Sequence, residues 1–207
     1  MKKIFLLIFT VNSFLFCFGQ STLDSFFISC EYFRSGNIRI NLKNFQEAIE
    51  AYDTAIAYCP TPELYGNRGY AKDGLKNYSE ALKDFNKAIK LDPKNQDFYL
   101  NRGNTKQNLQ DYRGSIIDYN KAIELKPQMP SPYYARGYSK YSMRNYKGAI
   151  ADYTKSIELN PDDGDVYYQR GLVKIALGEK NSGCIDLSKA GELGVDNAYE
   201  SIKEFCN

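Results

Sequence analysis

The chain has 207 residues, of which 43% are hydrophobic and 14% aromatic, a composition typical of folded rather than disordered proteins. It contains no histidine, which excludes Ser-His-Asp and Cys-His catalysis, imidazole metal sites and a histidine-based pH switch. Its formal net charge of +2 is small for a chain of this length.

Residues 1–19 have the pattern of a secretory signal peptide. Two lysines near the start precede an apolar run that ends at Phe18, and the small residue Gly19 stands before Gln20. The run is short and interrupted for a membrane span. The sequence therefore predicts export, to the periplasm or the medium, with cleavage before Gln20.

Two other interpretations of this segment stay open. The segment could be kept as an uncleaved anchor, or Cys17 could carry a lipid, although Phe16 stands where lipoprotein signals have a small residue. Cleavage would remove two lysines and leave equal numbers of basic and acidic groups. A neutral mature chain has no general attraction to nucleic acid or anionic membranes.

Glycines and prolines recur at a nearly constant spacing after a short lead-in, residues 20–28. The glycine separations are 33, 34, 34 and 34 residues, and the proline separations are 33, 34 and 34. The residues are Gly36, Gly69, Gly103, Gly137 and Gly171, and Pro60, Pro93, Pro127 and Pro161. This period predicts five units, at about 29–61, 62–95, 96–129, 130–163 and 164–197.

Each unit has the hydrophobic pattern of two amphipathic helices. In the second unit, Asn77 followed by Glu80 resembles an amino-terminal cap, and the apolar stripe after it includes Ala81 and Phe85. A proline closes the second helix. Neither helix buries its stripe alone, so neighbouring units must stack.

Charged residues recur at the same period. The last four units have an arginine before the glycine, a lysine four residues later and an aspartate in the second helix, whereas the first unit has Ser35 and Ala51 at the arginine and aspartate positions. The arginines and aspartates are Arg68, Arg102, Arg136 and Arg170, and Asp84, Asp118, Asp152 and Asp186. Because both types are absent together, we expect structural Arg–Asp pairs rather than a site for acidic ligands.

The carboxy-terminal end departs from the repeat. No proline follows the fifth unit, and Gly191 and Gly194 end its second helix. Residues 198–207 are expected to form a short helix, capped by Asn197, that covers the open end of the stack.

Four cysteines remain after signal cleavage. Cys184 and Cys206 are expected to form one disulfide and Cys30 and Cys59 a second, since each pair is brought together by antiparallel helices. Four buried thiols are the alternative. A metal-binding cluster is not expected, because the pairs would lie at opposite ends of the stack.

The motif Tyr-x-x-Arg-Gly, followed by alanines, an aromatic residue and a closing proline at a 34-residue period, resembles the tetratricopeptide repeat (TPR). The resemblance covers about Ser29 to Val195. It implies an all-α, right-handed superhelical solenoid of helix-turn-helix repeats with a carboxy-terminal capping helix.

The resemblance also implies a concave groove lined by the first helix of each unit. The corresponding residues are Phe33, Asn37, Asn67, Tyr70, Asn101, Asn104, Tyr134, Tyr138, Tyr141 and Tyr168. Family members that hold acidic chain ends use two asparagines and three basic residues, and here the basic residues are missing. Tyr and Asn suit adaptable polar recognition, although Tyr134, Tyr138 and Tyr141 could instead pack against the neighbouring hairpin.

The sequence thus indicates a non-enzymatic interaction module or assembly scaffold of the cell envelope that binds a peptide or protein segment. The alternative is an accessory subunit that binds a cell-wall polymer or another non-protein ligand. We expect no cofactor, no metal, no nucleic acid, and no membrane span after signal cleavage. The chain would act as a monomer or as a subunit of a larger complex.

Overall fold

The protein is built from α-helices throughout the part of the chain, residues 23–206, that the computed structural model describes. The predicted signal peptide, its predicted cleavage site and Cys17 lie outside the described residues. The helices are α1 Leu23–Asn41, α2 Phe45–Tyr58, α3 Pro62–Gly74, α4 Tyr78–Leu91, α5 Gln96–Asn108, α6 Tyr112–Leu125, α7 Pro130–Ser142, α8 Tyr146–Leu159, α9 Gly164–Ala176, α10 Lys180–Glu192 and α11 Asn197–Phe205.

The chain divides into two compact units, and the division falls within α5, between Thr105 and Lys106. In the first unit α1 packs on α2, α2 on α3 and α3 on α4. In the second, each helix from α6 to α11 packs on the next. The predicted fold class, an all-α array of helix-turn-helix repeats with a final capping helix, is confirmed.

Two boundaries differ from those expected. Helix α1 begins at Leu23, so part of the predicted lead-in is helical and buries Phe26. The capping helix begins after Asp196, not with Asn197 as its cap, and the Asp196 side chain accepts no capping hydrogen bond. Asn77 also makes no side-chain cap, whereas Asp111 and Asn145 cap α6 and α8 through the backbone N–H groups of Gly114 and Gly148.

The repeated glycine marks the close approach of the two helices in a hairpin. A Cβ atom at Gly69 would lie 3.0 Å from the ring of Phe85, and one at Gly137 would lie 2.8 Å from the ring of Tyr153. Both rings are fully buried. The glycine period in the sequence thus reflects a large side chain that packs directly on the backbone of the preceding helix.

The turn within each hairpin requires a left-handed residue, and four of the five have a side chain there. Lys43, Lys76, Gln110 and Arg144 have φ values of 59°, 62°, 61° and 61°. In the last hairpin this position is Gly178, with φ of 93°. Glycine is the residue expected at a left-handed position after a helix, so the long side chains found here make the helix end hard to predict from the sequence.

Candidate functional site

In the first unit, three of the predicted groove residues meet at one pocket. Asn37, Asn67 and Tyr70 line a cavity of about 170 Å3 together with Tyr52 and two residues of α1, Ile40 and Asn41. The Asn37 side-chain oxygen accepts hydrogen bonds from the Tyr52 hydroxyl, at 2.7 Å, and from the Asn67 amide, at 3.0 Å. These bonds fix the orientation of Asn37 before any ligand arrives.

Tyr52 forms the floor of this pocket and was not among the predicted site residues. It is fully buried, and Phe33 packs on it with ring centroids 6.3 Å apart. Burial raises the pKa of Tyr52 to about 12, while a hydrogen bond with Asn67 opposes the shift. The hydroxyl is therefore a neutral donor to Asn37 at physiological pH. The repeat period could have identified Tyr52, because it occupies the position that Phe85 has in the next repeat.

The other three predicted residues of this unit, Phe33, Asn101 and Asn104, do not line the pocket. Asn101 and Asn104 are on α5, Asn101 half-buried and Asn104 exposed. The ring of Tyr70 is exposed and packs on Phe45, with ring centroids 6.5 Å apart. The first unit therefore presents a small, uncharged, amide-rich site.

In the second unit, the predicted tyrosines form a cluster around a buried one. Tyr134 packs on Tyr153 and Tyr141 on Tyr146, each pair with ring centroids 5.8 Å apart. Tyr138 and Tyr141 each keep 37% of their surface exposed. These ring contacts lie within one hairpin, and Tyr138 and Tyr141 nevertheless remain partly exposed to solvent.

The Tyr153 hydroxyl is buried and has no hydrogen-bond partner. The equivalent hydroxyls are satisfied, that of Tyr52 by Asn37 and that of Tyr119 by the Gln107 side chain at 2.7 Å. Burial, and after it the hydroxyls of Tyr134, Tyr138 and Tyr141, raise the pKa of Tyr153. A buried hydroxyl without a partner costs free energy, which makes it notable in a well-packed repeat.

Tyr168 has a structural contact that the sequence did not reveal. Its hydroxyl lies 3.1 Å from the Ser201 hydroxyl on the capping helix α11. Tyr168 is half-buried, so it belongs to the attachment of the cap as much as to any groove.

The predicted Arg–Asp pairs are present in three hairpins as two-pronged contacts. Arg68 donates to both carboxylate oxygens of Asp84 at 2.8 and 2.6 Å, and the same arrangement joins Arg136 to Asp152 and Arg170 to Asp186. Arg102 and Asp118 belong to different units; within its own unit Arg102 donates to Asn86, at 2.7 Å.

Each buried aspartate also binds the lysine one turn after the arginine. Lys72 reaches Asp84 at 2.8 Å, and the remaining three contacts are Lys106–Asp118, Lys140–Asp152 and Lys174–Asp186. The lysine period was visible in the sequence but its partner was not assigned. The arginine and the lysine therefore both bind a carboxylate within their own repeat.

The arginine also connects successive repeats. Its remaining nitrogen donates to the second helix of the preceding repeat, from Arg68 to Asp53 at 2.6 Å and from Arg136 to Asn120 at 2.6 Å. The guanidinium further stacks over the tyrosine one turn earlier, 5.5 Å from the Tyr65 ring in the case of Arg68. These contacts are structural and leave the arginines unavailable to an acidic ligand.

One of the two predicted disulfides is present and the other is wrong. Cys184 and Cys206 are joined, with Cα atoms 5.8 Å apart, and the bond fixes α11 to α10. Cys30 is a free thiol, whereas Cys59 is disulfide-bonded, so the two do not pair. They lie in one small buried cluster with Phe26, and burial raises the pKa of the Cys30 thiol. Cys30 and Cys59 thus lie close together, as expected, but no disulfide joins them.

No group of acidic or cysteine side chains suited to hold a metal ion occurs between residues 23 and 206. Over the same residues, none of the helices combines the length and the apolar character needed to span a bilayer.

Sequence models of the tetratricopeptide repeat match residues 30–62, 62–95, 85–116 and 130–163. Heat shock protein STI1 of Saccharomyces cerevisiae is 35% identical over 65 residues, which are 30% of this chain and 11% of that protein. The chain therefore spans only a small part of the length of this curated relative.

Solved structures share the fold over most of the chain. The MamA 41-end structure from Desulfovibrio magneticus RS-1 has a TM-score of 0.73 at 17% identity, over 80% of this chain and 94% of that one. YrrB, described as a TPR protein with an unusual peptide-binding site, has a TM-score of 0.69 at 19% identity, over 83% and 90%. TPR repeats support a role in protein–protein interaction or scaffolding. By its repeat matches, its helix pairs and its fold, the chain belongs to the tetratricopeptide repeat family.

Proposed function

We propose that the protein is an exported, non-enzymatic interaction module that binds a peptide or protein segment on the surfaces formed by the first helices of its repeats. The observation that carries the proposal is the fixed Asn37 amide. Its oxygen is bound by Tyr52 and Asn67 at the wall of an open pocket, which leaves its amide nitrogen to a ligand. Amide groups held in place are suited to the carbonyl groups of an extended peptide backbone.

The tyrosines of the second unit also support the proposal that the protein binds a peptide or protein segment. Tyr138 and Tyr141 are partly exposed but supported by packing, so they offer contact area at a small cost in conformational entropy. YrrB, a TPR protein with an unusual peptide-binding site, is an example of this use of the fold. Export is supported by the pattern of residues 1–19 and by the Cys184–Cys206 disulfide, since disulfides persist in oxidising compartments.

The test is crosslinking and affinity purification of the protein from its native envelope. The groove variant changes Tyr70, Asn101, Tyr138 and Tyr141 to Ala. A matched control changes Ile117 and Ile185 to Ala, because these side chains are 67% and 71% exposed on second helices. A partner retained by the control and lost by the folded groove variant supports the proposal.

Two results would contradict it. A partner that both variants retain places binding on another surface. Capture of a cell-wall polymer in place of a protein would favour the alternative function, an accessory subunit with a non-protein envelope ligand.

A further inference from the structure

The outer face of α1 has a row of exposed apolar side chains. On this face, large apolar residues keep 44% to 65% of their surface exposed: they are Leu23, Phe27, Ile38 and Leu42. Leu42 follows the last residue of the helix, and its N–H still donates to the Ile38 carbonyl at 3.2 Å. Leu23 and Phe27 are about one turn apart, as are Ile38 and Leu42, and about three turns separate the two pairs. A row of apolar residues along one helix face is typical of an interaction surface.

Two opposite charges lie between the apolar pairs. Glu31 is about one turn after Phe27 and Arg34 about one turn before Ile38, so both stand on the same side of the helix, and both are exposed. Neither forms an ion pair with another residue of the range 23–206. Arg39 of the same helix, by contrast, binds Glu47 at 3.0 Å. The middle of the row therefore offers one charge of each sign that its own unit does not use.

The row has the same order of residue types from either end. The spacings from Leu23 to Leu42 are 4, 4, 3, 4 and 4 residues. Reversal exchanges the two leucines, the two other apolar residues and the two opposite charges. Two copies of α1 placed side by side and antiparallel, about a two-fold axis, therefore set each apolar residue against an apolar residue and Glu31 against Arg34.

We propose that this outer face of α1 binds the same face of a second copy of the chain, so that the protein is a two-fold symmetric dimer. The charges select the antiparallel orientation, because parallel helices would set Glu31 against Glu31 and Arg34 against Arg34. Two further exposed residues, Asp24 and Asn41, come to face each other as a carboxylate acceptor and an amide donor. Self-association goes beyond the proposed function, because it requires no partner protein.

The length of α1 sets the strength of this dimer. The helix has 19 residues and therefore spans about 28 Å. One pair of such helices buries roughly 1,000 Å2 in total, which is at the lower limit for a specific interface. We therefore expect a weak dimer with a Kd of about 10 to 100 μM.

The first test is analytical ultracentrifugation of the purified protein between about 1 and 500 μM, a range that brackets the expected Kd. Ile38→Ser combined with Leu42→Ser should raise the dimer Kd at least tenfold, because both side chains leave the apolar row. Ile117→Ser combined with Ile185→Ser is the matched control, since these side chains are 67% and 71% exposed on other helices. The control should dimerise as the native chain does, and circular dichroism melting should show that both variants fold.

The second test exchanges the charges and so examines the antiparallel arrangement itself. Glu31→Arg and Arg34→Glu should each raise the Kd at least tenfold, because like charges then meet across the axis. An equimolar mixture of the two variants should dimerise as the native chain does, since opposite charges face each other again, and so should a chain with both substitutions. Asp97→Arg, at an exposed acidic residue of α5, should have no effect on the Kd.

Three results would overturn the inference: a native chain that is monomeric at every concentration, a dimer that keeps its Kd in the Ile38 and Leu42 variant, or a charge mixture as weak as its components. These results leave the proposed function untouched. The groove variant changes no residue of α1, so it should lose its envelope partner and still dimerise.

Discussion

At the scale of single residues, three repeats have a buried tyrosine in the second helix, and its hydroxyl has different surroundings in each. Tyr52 and Tyr119 donate to an amide oxygen, whereas Tyr153 is equally buried and donates to nothing. The partners come from positions where the fourth repeat has tyrosines, Tyr138 and Tyr141. The tyrosines at these positions place no acceptor within hydrogen-bond distance of the Tyr153 hydroxyl, which is left without a partner.

The first prediction compares two removals of a hydroxyl. Tyr52→Phe should lower the free energy of unfolding by about 1 kcal/mol, because the bond to Asn37 is lost. Tyr153→Phe should leave it unchanged or raise it by up to about 1 kcal/mol, because the penalty of an unpaired hydroxyl is removed. Urea denaturation measures both. Equal losses in the two variants would mean that Tyr153 has a partner in solution.

The second prediction concerns the buried carboxylates. Asp152→Asn removes the negative charge between Arg136 and Lys140 and should lower the free energy of unfolding by about 3 kcal/mol. The control is Glu158→Gln, which breaks an exposed pair with Lys155 and should cost less than about 1 kcal/mol. If the two variants denature at the same urea concentration, the Asp152 contacts do not stabilise the fold.

At the scale of elements, the sequence predicted hairpins better than it predicted their ends. The period of Gly69 and Phe85 identified which helices pair, because both residues are needed where two backbones approach closely. The turns were less visible, since Lys76 and Arg144 occupy left-handed positions at which glycine is expected. Caps were the least predictable, because Asn77 and Asn145 share a sequence pattern but only Asn145 accepts the capping bond.

The candidate binding site was likewise predicted only in part. The resemblance to the TPR predicted Asn37, Asn67 and Tyr70 as groove residues, and these three residues line one pocket. The unpaired hydroxyl of Tyr153 and the bond from Tyr168 to Ser201 could not be predicted, because each depends on a rotamer and on a helix outside the repeat.

The third prediction tests the turn. Gly178→Ala should lower the free energy of unfolding by about 1 kcal/mol although the added methyl group would contact nothing, because only the backbone conformation resists it. Arg144→Gly, at the equivalent position, should raise stability by at most about 1 kcal/mol. A gain from Gly178→Ala would show that the turn relaxes out of the left-handed conformation.

The fourth prediction concerns the capping helix. Changing Cys184 and Cys206 to Ala should lower the free energy of unfolding by about 3 kcal/mol, because the bond closes a loop with a sequence separation of 22 residues. Amide hydrogen exchange should quicken first in α11 and then in α10. Uniformly faster exchange in α2 as well would mean that the bond acts on the whole chain rather than on its end.

At the scale of the whole molecule, two compact units carry surfaces of different chemistry. The first presents the uncharged amides of Asn37 and Asn67 in one pocket, and the second has the partly exposed rings of Tyr138 and Tyr141 and a cavity lined by carboxylates that include Asp163 and Asp165. The net charge near zero does not reveal this difference, because it sums the charges of the whole chain.

The last prediction asks where the molecule resides. If the chain is exported, Cys184 and Cys206 should be oxidised in the cell that makes it, while Cys30 should be a thiol. Cells are quenched with acid, and the denatured protein is alkylated without reduction and mapped by mass spectrometry. Cys30 should carry the label and the other two should not. A matched chain without residues 1–19 should instead be labelled at Cys184 and Cys206, because a reducing cytoplasm keeps cysteine side chains as free thiols. Label on Cys184 and Cys206 of the native chain would contradict export, and it would also remove the covalent bond that holds α11 on the last repeat.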